Sequence, residues 1–498
     1  MIAGRTGGGF ASAMPRRGEV DPPPELDAFI AALLDRLDAA SVLTDPIALE
    51  AYATPWRGTV GRTPVVARPA DTAAVAEVVR LAARHRVRLI PQGANTGLVE
   101  GSVPDRFGTM AVLSLERLND RLEIDVADRT AVVGAGVLLS SLNEAVAPDR
   151  LTLPIDLGSD PSVGGMVSTN TGGARMVHHG DMRRRVLGLE VVLADPPGAV
   201  LDDLRRLRKD NAGPGVSDWF IGAAGRFGVV TAVALELSPV DRDRATAYLV
   251  PADDRAAVDI TTALERSLGH RLRAVEAIGA EALRVAADHE GVRSPFRGDN
   301  PPPLTLLVEV ASSDANPAAR GDRSSEEALT DALSNLDSGL LADAVVVPPA
   351  EAWTFRHQIS EALARCGMVL GFDLSVRRSR LPELRVALDE HVRPALPDGA
   401  QLVEFGHWAD GGLHANIVLP QKTFGGRPLH AQTLEGLRRR MWQVVADLDG
   451  SWAAEHGWGP ANDEALATHG DPVRRELLNR METMLDPHGI LGRPRYAR

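Results

Sequence analysis

Between residues 26 and 41 the apolar side chains Leu26, Phe29, Ile30, Leu33, Leu34 and Leu37 recur every three or four positions. That spacing marks one face of a helix, so a helix is predicted over 26–41. A short strand is predicted at 64–67. A second helix should open behind Asp71, a residue suited to capping its free N–H groups, and run to about residue 85. The run 87–90 is a strand ending in a glycine-bearing turn, and further strands fall at 110–114, 131–134 and 189–194. Near Pro239 the texture changes. Strands at 247–250, 273–278, 304–310 and 344–347 alternate with helices at 255–268 and 326–333, and helices at 352–365 and 381–391 follow. A helix over 433–448 and a terminal helix ending near Leu485 close the chain. The first half mixes helix and strand without clean alternation, and the second repeats β-α-β units over an antiparallel sheet in the ferredoxin-like manner. The fold class is α+β. The predicted parts are a tail (1–25), a first domain (26–240), a second domain (241–430) and a C-terminal segment (431–498) that returns to the first domain and completes the site.

At 498 residues the chain is long enough for two or three domains. A hydrophobic content of 44% fits a globular protein, and no run of about 18 apolar residues offers a membrane span. The net charge of −13 disfavours nucleic acid as a partner. The single cysteine, Cys366, excludes an internal disulfide and fits a reducing, cytoplasmic setting. The first 25 residues are rich in Gly, Pro and Arg and lack the apolar core of a secretory signal, so they are expected to be disordered. The polar stretches 290–303 and 312–325 are expected to be mobile loops.

The most informative segment is Gly406-His407-Trp408-Ala409-Asp410-Gly411-Gly412-Leu413-His414-Ala415-Asn416. Asp-Gly is a two-residue hairpin signal. A turn at 410–411 would set His407 opposite His414, with Cβ atoms about 5 Å apart, close enough to chelate one ion. Some forty residues later comes Glu455-His456. Three imidazoles and a carboxylate can build a metal site with one acid/base group left over.

Two glycine-bearing stretches offer converging backbone N–H groups: Pro91-Gln92-Gly93-Ala94-Asn95-Thr96-Gly97-Leu98, and Gly164-Gly165-Met166-Val167-Ser168-Thr169-Asn170-Thr171-Gly172-Gly173. Neither is the G-x-G-x-x-G fingerprint. Gly134-Ala135-Gly136 comes closest but has Leu139 in the third position, and no G-x-x-x-x-G-K-S/T occurs. Each stretch alone reads as an ordinary turn; both together favour a different dinucleotide fold.

Taken in order over about residues 64–491, these segments resemble the FAD-linked oxidoreductases of the vanillyl-alcohol-oxidase type. Within that type they are most similar to the D-2-hydroxyglutarate, D-lactate and glycolate dehydrogenases. Further residues carrying the resemblance are Pro154-Ile155-Asp156-Leu157-Gly158, Val186-Leu187-Gly188-Leu189-Glu190, Leu207-Arg208-Lys209-Asp210-Asn211, Gly225 to Thr231, and Asp486 to Leu491. The resemblance implies a two-subdomain FAD-binding domain with a ferredoxin-like substrate domain as its cap, and a dissociable FAD. Residues 91–98 would wrap the pyrophosphate. Gly164, Gly165, Ser168, Thr169, Asn170, Gly172 and Gly173 would cover the flavin, with Pro154, Gly158, Gly180 and Asn462 also near the cofactor and Val230 at its adenine end. It implies that His407, His414 and Glu455 bind a divalent metal, often zinc. Asn416 would hold substrate, His456 would be the base, and Arg356 would clamp a substrate carboxylate with Ser360 one turn on. The implied reaction oxidises a 2-hydroxy acid to a 2-oxo acid by hydride transfer to flavin N5. An electron-transfer protein or quinone would then accept the electrons. A homodimer is compatible with the sequence.

The chain departs from that pattern at several places. Ala94 replaces a glycine, Ala223-Ala224-Gly225 lacks a glutamate, Gly412 replaces an asparagine and Pro214 a tyrosine. Ser360 stands for a threonine, and Asn462 for a basic residue. A substrate-contacting lysine of the hydroxyglutarate members falls at Gly371. Its absence predicts weaker hold on a dicarboxylate, hence a hydroxy acid with an apolar or hydrogen-bonding tail. An oxidase acting on another alcohol in specialised biosynthesis and a non-catalytic scaffold are the alternatives.

Overall fold

The computed structural model describes residues 25–288, 296, 300–316, 321–419 and 431–492. The expected tail, apart from Glu25, and parts of the two expected mobile loops lie outside the described residues.

The first half carries two sheets. One orders the strands Val42–Leu43, Val66–Ala67, Met110–Ser114 and Arg88–Gln92. The last three run parallel. The other orders Leu122–Asp125, Thr130–Gly134, Val229–Glu236, Val186–Val192 and Val200–Asp202, all antiparallel. The helix Thr72–His85 forms as predicted, with the Asp71 carboxylate accepting from the Ala74 N–H. It buries Val75, Val78, Val79 and Ala82 in the first core. The predicted helix 26–41 stops at Arg36. Leu37 and Asp38 are extended, and the Asp38 carboxylate caps a separate 3-10 turn at Ala39–Ser41, a local side-chain bond that competes with helix continuation.

The second half is one seven-stranded antiparallel sheet ordered Leu341–Val347, Asp243–Pro251, Leu304–Ser312, Leu272–Gly279, Gln401–His407, Gly412–Leu419 and Met368–Ser375. Apolar clusters cover both faces. The helices Asp254–Leu268, Ser325–Ser334 and Ala431–Asp447 contribute to one, and Ala280–Ala287 with Pro349–Cys366 to the other. Strand Met368–Ser375 was not predicted. Neither was the helix Asp463–His469, and the helix expected over 381–391 changes at Leu388 into a π-turn ending at Val392.

Beyond the edge strand Met368–Ser375 the chain adds one more partial rung. Asp373 pairs with Ala453 and Ser375 with Ser451, so the segment leading to Glu455 is laid against the sheet. The chain then ends on the first sheet, where the Leu89 N–H donates to Ile490 O and the Gly492 N–H to Leu89 O.

Candidate active site

The hairpin forms, with a register that differs from the prediction. Phe405 lies opposite His414, and His407 lies opposite Glu276 on the neighbouring strand. The turn is longer than two residues because Trp408–Asp410 make a 3-10 turn before Gly411. Trp408 is fully buried there, which anchors the extra residues. The two imidazoles still converge, with ring centroids 5.2 Å apart.

Glu455 completes the cluster. Its Oε1 lies 3.2 Å from His407 Nε2 and 3.3 Å from His414 Nε2. Donor atoms around a tetrahedral ion with bonds of ~2.1 Å stand about 3.4 Å apart, and charge-assisted N–H···O bonds are shorter, about 2.7–2.9 Å. The His407 Nε2 contact is a long hydrogen bond, and both Nε2 contacts match the separation of two ligand atoms around one ion. The opposite side of the same ring behaves differently: His407 Nδ1 is 2.6 Å from Glu276 Oε1, a short hydrogen bond. A carboxylate on the far nitrogen is what fixes a metal-binding imidazole's tautomer.

Asp373, which the sequence reading missed, organises the rest. Its Oδ2 accepts from the Glu455 and His456 backbone N–H groups at 2.8 and 2.7 Å, and its Oδ1 lies 3.6 Å from His414 Nδ1. The side chains of Asp373, His414, Glu455 and His456 offer ligand atoms all within 4.8 Å of one another. Of the two overlapping sets we favour His407, His414 and Glu455 for an ion. Asp373 already orients Glu455 and His456 through their backbone, and in the first set both imidazoles reach one Glu455 oxygen. The signal that could have found Asp373 is its place two residues from Gly371, a position the resemblance had already singled out.

Electrostatics separates the histidines. Burial would discharge His407, but Glu276 and Glu455 outweigh it and hold its affinity for a proton well above the usual value. The same His407 charge keeps Glu455 well below the usual carboxylate range despite burial. His456, stacked on His414 at 5.4 Å and an interplanar angle of 9°, goes the other way. Burial lowers its pKa, and Asp373 only partly offsets that. His456 therefore gives up its proton more readily than a free imidazole does.

Both glycine loops meet this cluster. The Gly173 N–H donates to Glu455 Oε2 at 3.2 Å. Gly457, at φ +82, sits so near Thr169 that a Cβ would lie 3.1 Å from the threonine Cβ, and a Cβ on Gly459 would lie 2.3 Å from Val99 O. The two loops also press on each other, since a Cβ at Gly93 would fall 2.0 Å from Ser162 Oγ. The N–H groups of Gly93, Ala94, Asn95, Thr96, Gly97 and Leu98 make no hydrogen bond among the described residues. Consecutive unpaired backbone donors on a loop are suited to an anion such as a pyrophosphate, so these residues fit FAD. Gly93→Val is expected to cost about 1–3 kcal/mol through overpacking. It should weaken FAD retention roughly tenfold or more, read as lost absorbance near 450 nm in the purified protein.

Other expected cofactor residues have their side chains engaged within the protein. Gln92 donates to Tyr52 O and Ser102 O. Asn95 donates to Thr54 O, and Asn170 bonds Asp181 and the Arg183 N–H. Ser168 and Thr169 return their hydroxyls to Gly164 O and Gly165 O. Asn462 bonds Gly457 O and the Gly459 N–H, so it shapes the loop after His456. The Val230 side chain is buried in an apolar cluster, so a contact with the adenine end falls to its backbone. Gly158 is exposed, Pro154 is half-buried, and Gly180, at φ +75, ends the short helix Met176–His179. Gly164 packs on Ala135, and the N–H of Gly165 caps onto Ser162 Oγ.

The expected substrate residues divide. Asn416 is buried, and its Nδ2 has no hydrogen-bond partner. Arg356 is buried rather than solvated, stacked over Phe405, with Nε and Nη2 both 2.7 Å from Glu276 Oε2. Its charge is therefore matched inside the protein. Ser360 is exposed. Arg57, not anticipated, lies against Gly371, where a Cβ would fall 2.0 Å from its Nη1. The lysine's charge is absent from Gly371, and the Arg57 guanidinium from the first half of the chain stands beside that place.

Comparison with known proteins agrees with this geometry. An FAD binding domain family matches residues 63–201, and the C-terminal domain family of FAD linked oxidases matches residues 240–495. The chain is 33% identical over 459 residues to D-2-hydroxyglutarate dehydrogenase, mitochondrial, of Rattus norvegicus, covering 91% of this chain and 81% of that one. It is 31% identical to D-2-hydroxyglutarate dehydrogenase of Xanthomonas citri pv. viticola, covering 94% and 96%. Among solved structures it resembles p-cresol methylhydroxylase with substrate bound, at a TM-score of 0.72, 16% identity and coverage of 94% and 95%. With the two matched families spanning most of its length, the chain belongs to the FAD-linked oxidase family of vanillyl-alcohol-oxidase-type fold and is an FAD-dependent oxidoreductase.

Proposed function

We propose that this enzyme is a metal-assisted dehydrogenase that oxidises a 2-hydroxy acid to the 2-oxo acid, with 2-hydroxyglutarate the first substrate to test. The observation that carries the proposal is the convergence of His407, His414 and Glu455 beside His456, with Glu455 accepting from the Gly173 N–H of the second glycine loop.

When bound, FAD supplies a two-electron acceptor, and a divalent ion, zinc in the first instance, supplies a Lewis acid that makes a hydroxyl more acidic. His407, His414 and Glu455 would hold the ion. Glu276 fixes the His407 ring, and Arg356 holds Glu276 in turn. Asp373 sets the backbone of 455–456, and so the reach of His456. His456 Nδ1 or Nε2 accepts the hydroxyl proton. Asn416 Nδ2, an orphaned buried donor, is available to a substrate oxygen. The segment 455–459 packs against Thr169 and Val99. A location in the reducing cytoplasm is part of the proposal. No helix of the described residues is long and apolar enough to cross a membrane.

Anaerobic mixing with D- and L-2-hydroxy acids tests the proposal. The 450 nm band should bleach with a hydroxy acid of one configuration, and on admitting air the flavin should reoxidise, releasing peroxide, far more slowly than the substrate reduces it. A flavin indifferent to every hydroxy acid contradicts the reaction; rapid peroxide formation would make the enzyme an oxidase.

A further inference from the structure

We infer that Arg57 is a specificity-determining residue, reaching from the first half of the chain through the space left by Gly371 to pair with a second carboxylate of the substrate. This deepens the proposed function and rests on its placement of the hydroxy-acid end at the His407–His414–Glu455 cluster.

Arg57 is half-buried, and among the described residues it makes no hydrogen bond, ion pair or ring contact. Burial weakens its hold on its proton, and no acidic neighbour restores it. A partly desolvated cation without a partner is costly unless an anion arrives to match it. Arg356 provides the contrast, because Glu276 already balances it.

The surroundings specify what that anion is. A Cβ at Gly371 would lie 2.0 Å from Arg57 Nη1 and 3.1 Å from Asn416 Oδ1. Asn416 pairs with Gly371 across the sheet, and its Nδ2 is the buried donor without a partner. The Arg57 guanidinium and the Asn416 Nδ2 are two sets of unpartnered N–H donors, suited to a carboxylate. Asp373 follows Gly371 by two residues on the same strand face, about 7 Å further along, and belongs to the cluster around His414 and His456. The ends of a five-carbon diacid, linked by C–C bonds of ~1.5 Å, stand roughly 5 Å apart. One end therefore reaches Arg57 while the hydroxy-acid end occupies the cluster.

The loop carrying Arg57 is tied to the first glycine loop. Asn95 donates to Thr54 O, and the Thr59 N–H donates to Glu100 Oε1. Gly371 is the second requirement, because any side chain there must displace the guanidinium.

The test compares wild type with Arg57→Gln, Arg57→Lys and Gly371→Ala. In anaerobic flavin reduction, Arg57→Gln should raise KM for 2-hydroxyglutarate about 10- to 100-fold, the range for loss of charge-assisted hydrogen bonds. KM for lactate, which has no second carboxylate, should stay within about threefold. Arg57→Lys should recover part of the loss, and Gly371→Ala should reproduce it with the charge intact. Calorimetric binding of glutarate, which needs no turnover, should weaken by a similar factor in Arg57→Gln. Equal KM and glutarate affinity in wild type and Arg57→Gln overturn the inference. So does equal loss for both hydroxy acids. Wild type that binds glutarate through Arg57 without bleaching by any hydroxy acid would instead sink the proposed reaction and leave the anion site standing. If Arg57→Gln does not fold, unchanged selectivity in Gly371→Ala overturns the inference by itself.

Discussion

Replacing His456 with glutamine is expected to lower the rate of flavin reduction by hydroxy acid about 10²- to 10⁴-fold, the contribution of a positioned general base. KM should move little, because the substrate's charged groups are held elsewhere. The pH profile adds a sign. Burial lowers the His456 pKa from its ordinary value near 6.5, and Asp373 only partly restores it. A depressed histidine pKa keeps the neutral, proton-accepting form present from alkaline pH down past 6.5. The wild-type rate should therefore hold through neutrality and fall only below the ordinary imidazole range. The glutamine variant should lack that acidic limb. Stopped-flow reduction as a function of pH reads both effects. A variant with the wild-type rate, or one that retains the same limb, would remove His456 from the chemistry.

Much of the site was legible because its residues lie in short, locally coded segments. The two glycine loops, the histidine hairpin and the Glu-His pair each announce themselves within about ten residues, and the structure brings them together. The register was not legible. Asp410-Gly411 invited a two-residue turn, yet the chain makes an extra 3-10 segment at Trp408–Asp410 in which Trp408 is fully buried, and Phe405 lies opposite His414. The strand Met368–Ser375 was also hidden. Its residues Met368, Val369, Leu370, Gly371, Phe372, Asp373, Leu374 and Ser375 do not alternate cleanly, because its neighbours carry two apolar clusters and it supplies the polar site as well. Missing that strand concealed Asp373. Glu276 was equally invisible: it sits on a central strand in an otherwise apolar run, and only the sheet order sets it beside His407. Arg57 could not be found by periodicity at all. Its meaning depends on a glycine more than three hundred residues away, and a missing side chain at Gly371 gives no sign of which distant cation fills the space.

The second large effect concerns the ion. His414→Ala and Glu455→Gln are each expected to abolish stoichiometric metal retention and to reduce hydroxy-acid oxidation by at least about 10²-fold. FAD should remain bound, because neither side chain is part of the unpaired N–H cradle at residues 93–98. Glu455→Gln also leaves His407 with Glu276 as its one carboxylate partner. His407→Ala should be the more damaging to folding, since it strands the buried Glu276 with Arg356 alone, and breaking a buried charged network typically costs about 3–5 kcal/mol. Elemental analysis against flavin absorbance, with melting curves for each variant, separates lost metal from lost fold.

The most direct measurement of the central claim is made on the wild-type protein. Metal per flavin is counted before and after chelation, and anaerobic bleaching by a 2-hydroxy acid is followed in each state. One divalent ion per flavin, loss of bleaching on its removal with the flavin spectrum intact, and recovery on adding zinc are the predicted results. Full bleaching by metal-free protein would contradict the account.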